Sequence, residues 1–254
     1  MNGMRVIVTA GASGIGLAIA QTFLRAGARV HIGDVDGASL AAALAENPGL
    51  RGSVSDVSSS EDVDRLGDEA LAWMGGVDVL VNNAGIGGPR GPVEEVEPAE
   101  WHQVMRVNLG GIFHTARRFV PVMKGQRAGC IINISTSSVR TGLPLRTPYV
   151  VSKAGVMGFT QNLAREIGPY NIRCNAILPG SIENERGRKL LRERAEREGV
   201  SYEQVLAQRL GYISMRSRIT PEEVGEAALF LASPAARHIS GQFLGVCGNV
   251  EWEE

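Results

Sequence analysis

Tyr149 and Lys153 stand four residues apart, so on a helix they share one face, one turn apart. A phenol is a poor base near neutral pH, because its ordinary pKa is near 10. A neighbouring ammonium favours the phenolate. Such a pair could take the proton of an alcohol as hydride leaves its carbon, and return it to a carbonyl oxygen in the reverse direction. Tyr-x-x-x-Lys is also common on solvated helices, so the pair needs support from its context. Lys124, Lys153 and Lys189 are the only lysines among 26 basic residues, and Lys153 lies among small and apolar neighbours. Upstream, Ser135-Thr136-Ser137-Ser138 offers hydroxyls that could hold a carbonyl oxygen or cap backbone at a strand end.

A second group of residues points to a nucleotide. Thr9–Gly16 reads TAGASGIG between an apolar strand, Met4–Thr9, and a helix over Gly14–Ala26. Glycines there allow a tight turn and bring backbone N–H groups and a helix N-terminus close to a pyrophosphate. No Gly-Lys-Ser/Thr follows, which excludes the usual triphosphate loop. Asp34 ends the next strand, where a carboxylate can accept from ribose hydroxyls and would repel a 2′-phosphate. Neither Ser13 nor Val35 adds a positive charge, so NAD is expected rather than NADP. The structural reading of Asp34 is a cap before Gly37.

Elements that could position these residues alternate along the chain. Further strands are expected over Arg29–Gly33, Gly52–Val57, Val77–Val81, Cys130–Ser135, Ile172–Ile177 and Gln242–Val246. Helices are expected over Gly37–Ala45, Ser60–Trp73, Pro98–Val122, Tyr149–Ile167 and Thr220–Leu231. The last has Thr220 as N-cap, Pro221 at the first position and Glu223 completing a capping box. Ile182–Tyr212 is charged, helical and interrupts the pattern. This alternation implies a single α/β domain over residues 1–254, with about seven mainly parallel strands and helices on both faces.

Composition narrows the function further. With 26 basic and 27 acidic residues the net charge is -1, against the concentrated positive surface that nucleic acid requires. Cys130, Cys174 and Cys247 are scattered, form no CxxC pair, and are expected in the core; no metal site is expected. No apolar run approaches a membrane span, and no signal-peptide pattern is seen at the start. A cytoplasmic protein is expected.

In order and spacing, the chain resembles the short-chain dehydrogenase/reductase family. The resemblance covers nearly its whole length. It rests on Thr9–Gly16, Asn82-Asn83-Ala84-Gly85, Asn108 in VNLGG, Tyr149 to Lys153, and Pro179-Gly180. It implies a Rossmann-type doubly wound sheet and an oxidoreductase that interconverts a secondary alcohol and a ketone. The implied cofactor residues are Ser13, Gly14, Ile15, Gly16, Asp34, Asn83, Ala84, Gly85, Tyr149, Lys153, Pro179 and Gly180. Asp56 and Val57 would touch the adenine, and Ile182 would lie near the nicotinamide. Asn108 would hold a water leading protons toward Lys153; it can also satisfy backbone at an irregular helix, and the two roles are compatible. The resemblance also implies a homotetramer or homodimer packed through Arg106–Val122 and Ser152–Ile167.

Several positions depart from the family pattern. Thr136 stands where relatives place the serine 13 residues before the tyrosine. It is the expected substrate-orienting hydroxyl, with Ser137 as the alternative. Ala10 replaces the first motif glycine, which is tolerable if its φ is ordinary. Asn184 stands for the usual threonine after Pro-Gly, and Cys247-Gly248-Asn249 for Asp-Gly-Gly. A catalytically weak NAD-binding protein is therefore the alternative reading, opposed by Asn108, Tyr149 and Lys153.

On the substrate side, Arg140 and Arg146 precede Tyr149, and Arg186 and Arg188 follow the sixth strand. An arginine fork there could bind an anionic polyol, sugar acid or hydroxy acid. Glu185–Glu198 has acid–base pairs at i,i+4, the pattern of a solvated helix, yet residues 182–215 could form a lid. Trp252 could pack against a neighbouring subunit.

Overall fold

The computed structural model describes residues 3–250. Its first half runs β1 (Arg5–Thr9), α1 (Gly14–Arg25), β2 (Arg29–Asp34), α2 (Gly37–Glu46), β3 (Leu50–Val54), α3 (Ser60–Met74) and β4 (Val79–Asn82). Then come α4 (Pro98–Met105), α5 (Gly111–Gln126), β5 (Gly129–Ile134), the short α6 (Ser138–Thr141), α7 (Thr147–Ile167) and β6 (Ile172–Pro179). The chain closes with α8 (Glu185–Glu198), α9 (Tyr202–Gly211), α10 (Pro221–Ala232) and β7 (Phe243–Val246). The strands form one seven-stranded sheet in the order β3-β2-β1-β4-β5-β6-β7, and every pairing is parallel. This is the parallel sheet that the alternation implied, in the Rossmann-type doubly wound order that the family resemblance implied. Among the described residues no helix is long and apolar enough to cross a membrane.

Strand residues feed two cores in alternation, because successive side chains leave opposite faces. Val6, Val8, Val79, Val81, Ile132 and Ile134 meet Ile19 and Phe23 of α1 and Val224 and Leu231 of α10. Ile7, Leu80 and Ile131, between them, meet Leu66 of α3, Phe119 of α5 and Ile167 of α7. Slipping any strand by one residue would exchange the two sets. Cys130 and Cys174 are buried and free, as expected for packing cysteines.

A line of polar side chains crosses the second core. Thr115 Oγ1 on α5 donates to Asn82 Oδ1 at 2.7 Å, Asn82 Nδ2 to Asn133 Oδ1 at 2.8 Å, and Asn133 Nδ2 to Thr160 Oγ1 on α7 at 2.9 Å. Thr160 in turn donates to the Val156 carbonyl at 2.7 Å. All four residues are buried. Asn82 and Asn133 are register partners on β4 and β5.

Several boundaries differ from expectation. The third strand lies at Leu50–Val54, not Gly52–Val57, because Leu50 pairs with Val30 and the chain turns at Asp56. The helix expected over Pro98–Val122 is divided. Its middle, Arg106–Gly110, is one π-helical turn around Asn108, and α5 runs on to Gln126 with Pro121 inside it. Ile182–Tyr212 is two helices, α8 and α9, separated where Gly199 takes a left-handed φ of 65°. The capping box at Thr220 and Glu223 is present, with Pro221 at the helix start.

Ala10 does not meet the condition on which it was tolerable. Its φ is 48°, in the left-handed region, where a Cβ costs about 1–2 kcal/mol. The conformation is held from both sides: the Ala10 carbonyl accepts from Asn83 Nδ2 at 3.0 Å, and Gly16 lies against it. Ala10→Gly is expected to stabilise the chain by about 0.5–1 kcal/mol, the relief of strain less the freedom glycine adds to the unfolded state. A higher urea midpoint at unchanged slope is the expected result; a lower midpoint would refute the strain.

Candidate active site

The strand order reverses between β1 and β4, and their carboxyl ends splay helices to opposite faces, leaving a crevice. A cavity of about 670 Å³ occupies that end of the sheet. Ser13, Gly14 and Ile15 line it from the turn after β1. Asn83 and Gly85 line it from the segment after β4, and Pro179, Gly180 and Ile182 from the segment after β6. Of the residues that the sequence singled out, Thr136, Tyr149, Lys153 and Arg146 line it as well, while Gly16, Asp34 and Ala84 lie behind its wall. Ser138, named with its neighbouring hydroxyls, lines it too; Ile86, Gly87, Leu143 and Leu190 also line it and went unnoticed, since small or apolar residues carry no chemical signature.

The glycine turn presents bare backbone to this cavity. Gly14 has a φ of 53°, and no atom lies within 4 Å of where its Cβ would stand. A Cβ on Gly16 would fall 2.0 Å from the Ala10 carbonyl and 2.6 Å from Asn83 Nδ2. Ser13 caps α1 without a side-chain bond, so the first N–H groups of the helix are open to an anion. Thr9 Oγ1 accepts from the N–H of Asn83 at 3.0 Å and of Ala84 at 3.1 Å, joining the turn to the end of β4. These features fit a dinucleotide pyrophosphate.

Asp34 is buried at the edge of the same turn. Its carboxylate accepts from the N–H of Ala12 at 3.0 Å and of Asp36 at 3.1 Å. It is not the cap of α2: that is Asp36, which accepts from Ala38 and Ser39. Asp56 and Val57 lie outside the cavity lining. Asp56 Oδ1 accepts from the Ser58 N–H at 2.8 Å, and a Cβ on Gly111 would stand 2.7 Å from the Val57 side chain. Both are occupied in shaping the start of α3 and its contact with α5.

Lys153 is only 4% exposed. Its ammonium donates to the Ile134 carbonyl at 2.7 Å, while Ser135 Oγ donates to the Lys153 carbonyl at 2.8 Å. The two bonds tie α7 to the end of β5. Burial lowers the Lys153 pKa from 10.5 to about 8. Tyr149 lies one turn earlier, with the Arg146 guanidinium 5.9 Å from its ring centre. A Cβ on Gly85 would stand 3.0 Å from Lys153 Nζ and 3.2 Å from Asn108 Oδ1, so a larger residue there would press on the ammonium and the amide.

Asn108 is fully buried in its π-helical turn, off the cavity wall. Its Oδ1 accepts from the Ile86 N–H at 2.8 Å, and its Nδ2 donates to the Ile86 carbonyl at 3.0 Å and to Ser152 Oγ at 2.8 Å. Its side chain therefore satisfies backbone, the structural one of its two compatible roles, and fixes the loop beside Lys153.

Of the two candidate hydroxyls, Thr136 lines the cavity with Tyr149, whereas Ser137 lines a smaller neighbouring one. The expectation for Arg140 is not met: its guanidinium turns to the edge of β7 and donates to the Phe243 carbonyl at 3.2 Å. Arg188 pairs with Glu183 and Glu185. The Arg186 side chain and Trp252 lie outside what the structure describes. Asn184 lines the cavity and caps α8 by accepting from the Gly187 N–H at 2.7 Å.

A family described as enoyl-(acyl carrier protein) reductase matches residues 9–249. The chain belongs to the short-chain dehydrogenase/reductase family. It is 36% identical to a 3-oxoacyl-(acyl-carrier-protein) reductase of Thermotoga maritima, over 98% of both chains. It is 33% identical to a D-beta-hydroxybutyrate dehydrogenase of Cupriavidus necator, also over 98% of both. The solved structure of an NAD+-bound xylitol dehydrogenase superposes with a TM-score of 0.91 at 28% identity, covering 97% of this chain and 98% of that one. This family member is accordingly an oxidoreductase of alcohols and ketones that uses a nicotinamide dinucleotide.

The buried ammonium has a measurable consequence for stability. Below pH 8 Lys153 is charged in the folded and the unfolded chain, and the folded state bears the whole burial penalty. Between about 8 and 10.5 the folded chain holds fewer protons, so stability rises with pH. Wild type is expected to gain about 3 kcal/mol relative to Lys153→Met over that window and to level off above it. A pH-independent difference between their unfolding free energies would sink this account.

Proposed function

We propose that this protein is an NAD-dependent dehydrogenase/reductase that interconverts a secondary alcohol and a ketone on a polar or anionic metabolite. What supports this most is that Thr136, Tyr149 and Lys153 line the same cavity as the bare N-terminus of α1. In this reading the Thr136 hydroxyl donates to the substrate oxygen and orients it. Tyr149 takes the alcohol proton in oxidation and returns it to the carbonyl in reduction. Lys153 favours the phenolate and holds the cofactor ribose. The bound dinucleotide supplies the hydride acceptor or donor. Asn108 acts through position, by fixing Gly85 and Ile86 beside Lys153. The preference for NAD rests on Asp34, whose carboxylate would repel a 2′-phosphate.

Tyr149→Phe is expected to retain NAD(H) binding and to lower kcat by about 10²–10⁴-fold. The same titrations are expected to give tighter binding of NAD(H) than NADP(H). Turnover near wild type would remove Tyr149 from the proton transfer; tighter NADP(H) would remove Asp34 as selector.

We further infer a homodimer or homotetramer built through α5 and α7. Phe113 on α5 is 54% exposed. It shares an apolar groove with Val120, Pro121, Phe159 and Leu163. Phe113→Glu is expected to shift the species seen by sedimentation to lower mass; a monomeric wild type would overturn the assignment.

A further inference from the structure

A second, smaller cavity adjoins the first beneath α9. Ser138 and Leu143 line both, so the two share a wall beside Thr136. Ser137, Thr141 and Ser181 contribute hydroxyls, and Arg209 of α9 contributes a guanidinium. Among the described residues no hydrogen bond or ion pair is made by Arg209. A half-buried cation with no partner is destabilising. Burial first, then the charges of Arg194 and Arg218, lower the Arg209 pKa, opposed only by Tyr212. Arg194 is neutralised by Glu198 at 2.7 Å. Arg218 donates to the Ile182 carbonyl, yet its Nε is buried without a partner. Among the described residues no acidic side chain lines this cavity.

We propose that Arg209 binds a carboxylate of the substrate, so that the alcohol oxidised belongs to a hydroxy acid and the ketone to an oxo acid. This rests on the dehydrogenase reading above. A guanidinium fork matches the two carboxylate oxygens, and the hydroxyls around it can donate to the same anion. The cavity holds about 20 Å³. A single water needs roughly 10–15 Å³ on such a measure, so the space suits a small anionic group such as a carboxylate. The substrate would span from Tyr149 past Ser138 to α9, and the carboxylate itself would be unchanged by the reaction. Residues 182–215 would then be a lid that carries the specificity element: Asn184 and Leu190 line the first cavity, and Arg209 and Tyr212 the second.

The test pairs short hydroxy acids with their methyl esters, assayed with NAD. Wild type is expected to prefer the acids. Arg209→Gln is expected to lower kcat/KM for acids by about 10–100-fold more than for esters, chiefly through KM, as loss of a charged hydrogen bond would. Equal losses on acid and ester, or a wild-type preference for esters, would overturn the proposal. Binding is read independently of turnover, with malonate as the probe and NAD-loaded protein. Malonate is expected to raise the Tm of wild type and not of Arg209→Gln, and no response in wild type would also overturn it. Absence of turnover on both acids and esters, with the malonate response intact, would fault the dehydrogenase reading and leave the anion site standing. Deletion of residues 251–254 removes the acidic tail that follows Val250. If malonate binds only after that deletion, the tail and not the substrate is the partner of Arg209.

Discussion

The directed line of hydrogen bonds from Thr115 through Asn82 and Asn133 to Thr160 constrains where α5 and α7 can sit on the sheet. Each member is buried and each donates to the next, ending on the Val156 carbonyl. A shift of β5 against β4 by one residue would leave these groups without partners in a low-dielectric interior, where each orphan costs about 1–3 kcal/mol. The register is thereby tied to the placement of α7, and α7 carries both Tyr149 and Lys153. The apolar core alone would tolerate a looser fit, because burial is not directional.

At the mouth of the cavity, local structure is held in states that packing alone would not choose. Lys153 is a buried cation that donates to a backbone carbonyl rather than a carboxylate. Ala10 occupies a left-handed turn. Asn108 sits in a π-helical turn, a geometry associated with functional irregularity. Each is over-determined by its neighbours: Ser135 and Ile134 around Lys153, Asn83 and Gly16 around Ala10, Ile86 and Ser152 around Asn108. Strain concentrated at one end of a well-packed sheet is the expected signature of a site selected for chemistry rather than stability.

The charge on α8 and α9 divides by direction. Outward, Arg188, Lys189, Arg192 and Arg194 pair with glutamates on α8 itself or just before it. Exposed pairs of this kind contribute little, about 0–1 kcal/mol. The segment is attached instead by a few buried apolar residues, Ala195, Val205, Ile213 and Ile219. Inward, the guanidiniums of Arg209 and Arg218 are left without compensating carboxylates among the described residues. A thinly anchored segment with an unbalanced inner charge is suited to closing over an anion.

Fold class, strand order of appearance, the glycine turn and the Tyr149–Lys153 pair were legible in the sequence, because period and spacing are local properties of a chain. So was an irregularity at Asn108, through the family resemblance. Other features depended on which side chains tertiary packing turns toward one another. Arg140 and Arg209 are alike as sequence, yet one turns to the edge of β7 and the other faces the cavity beside Ser138. Thr136 and Ser137 are adjacent hydroxyls, and only the turn after β5 separates them into two cavities. Ala10 could not be judged until its φ was known. The chain by itself determined the reaction class; its folding decided which hydroxyl and which arginine line each cavity, because contacts between distant segments are set by packing, not by spacing.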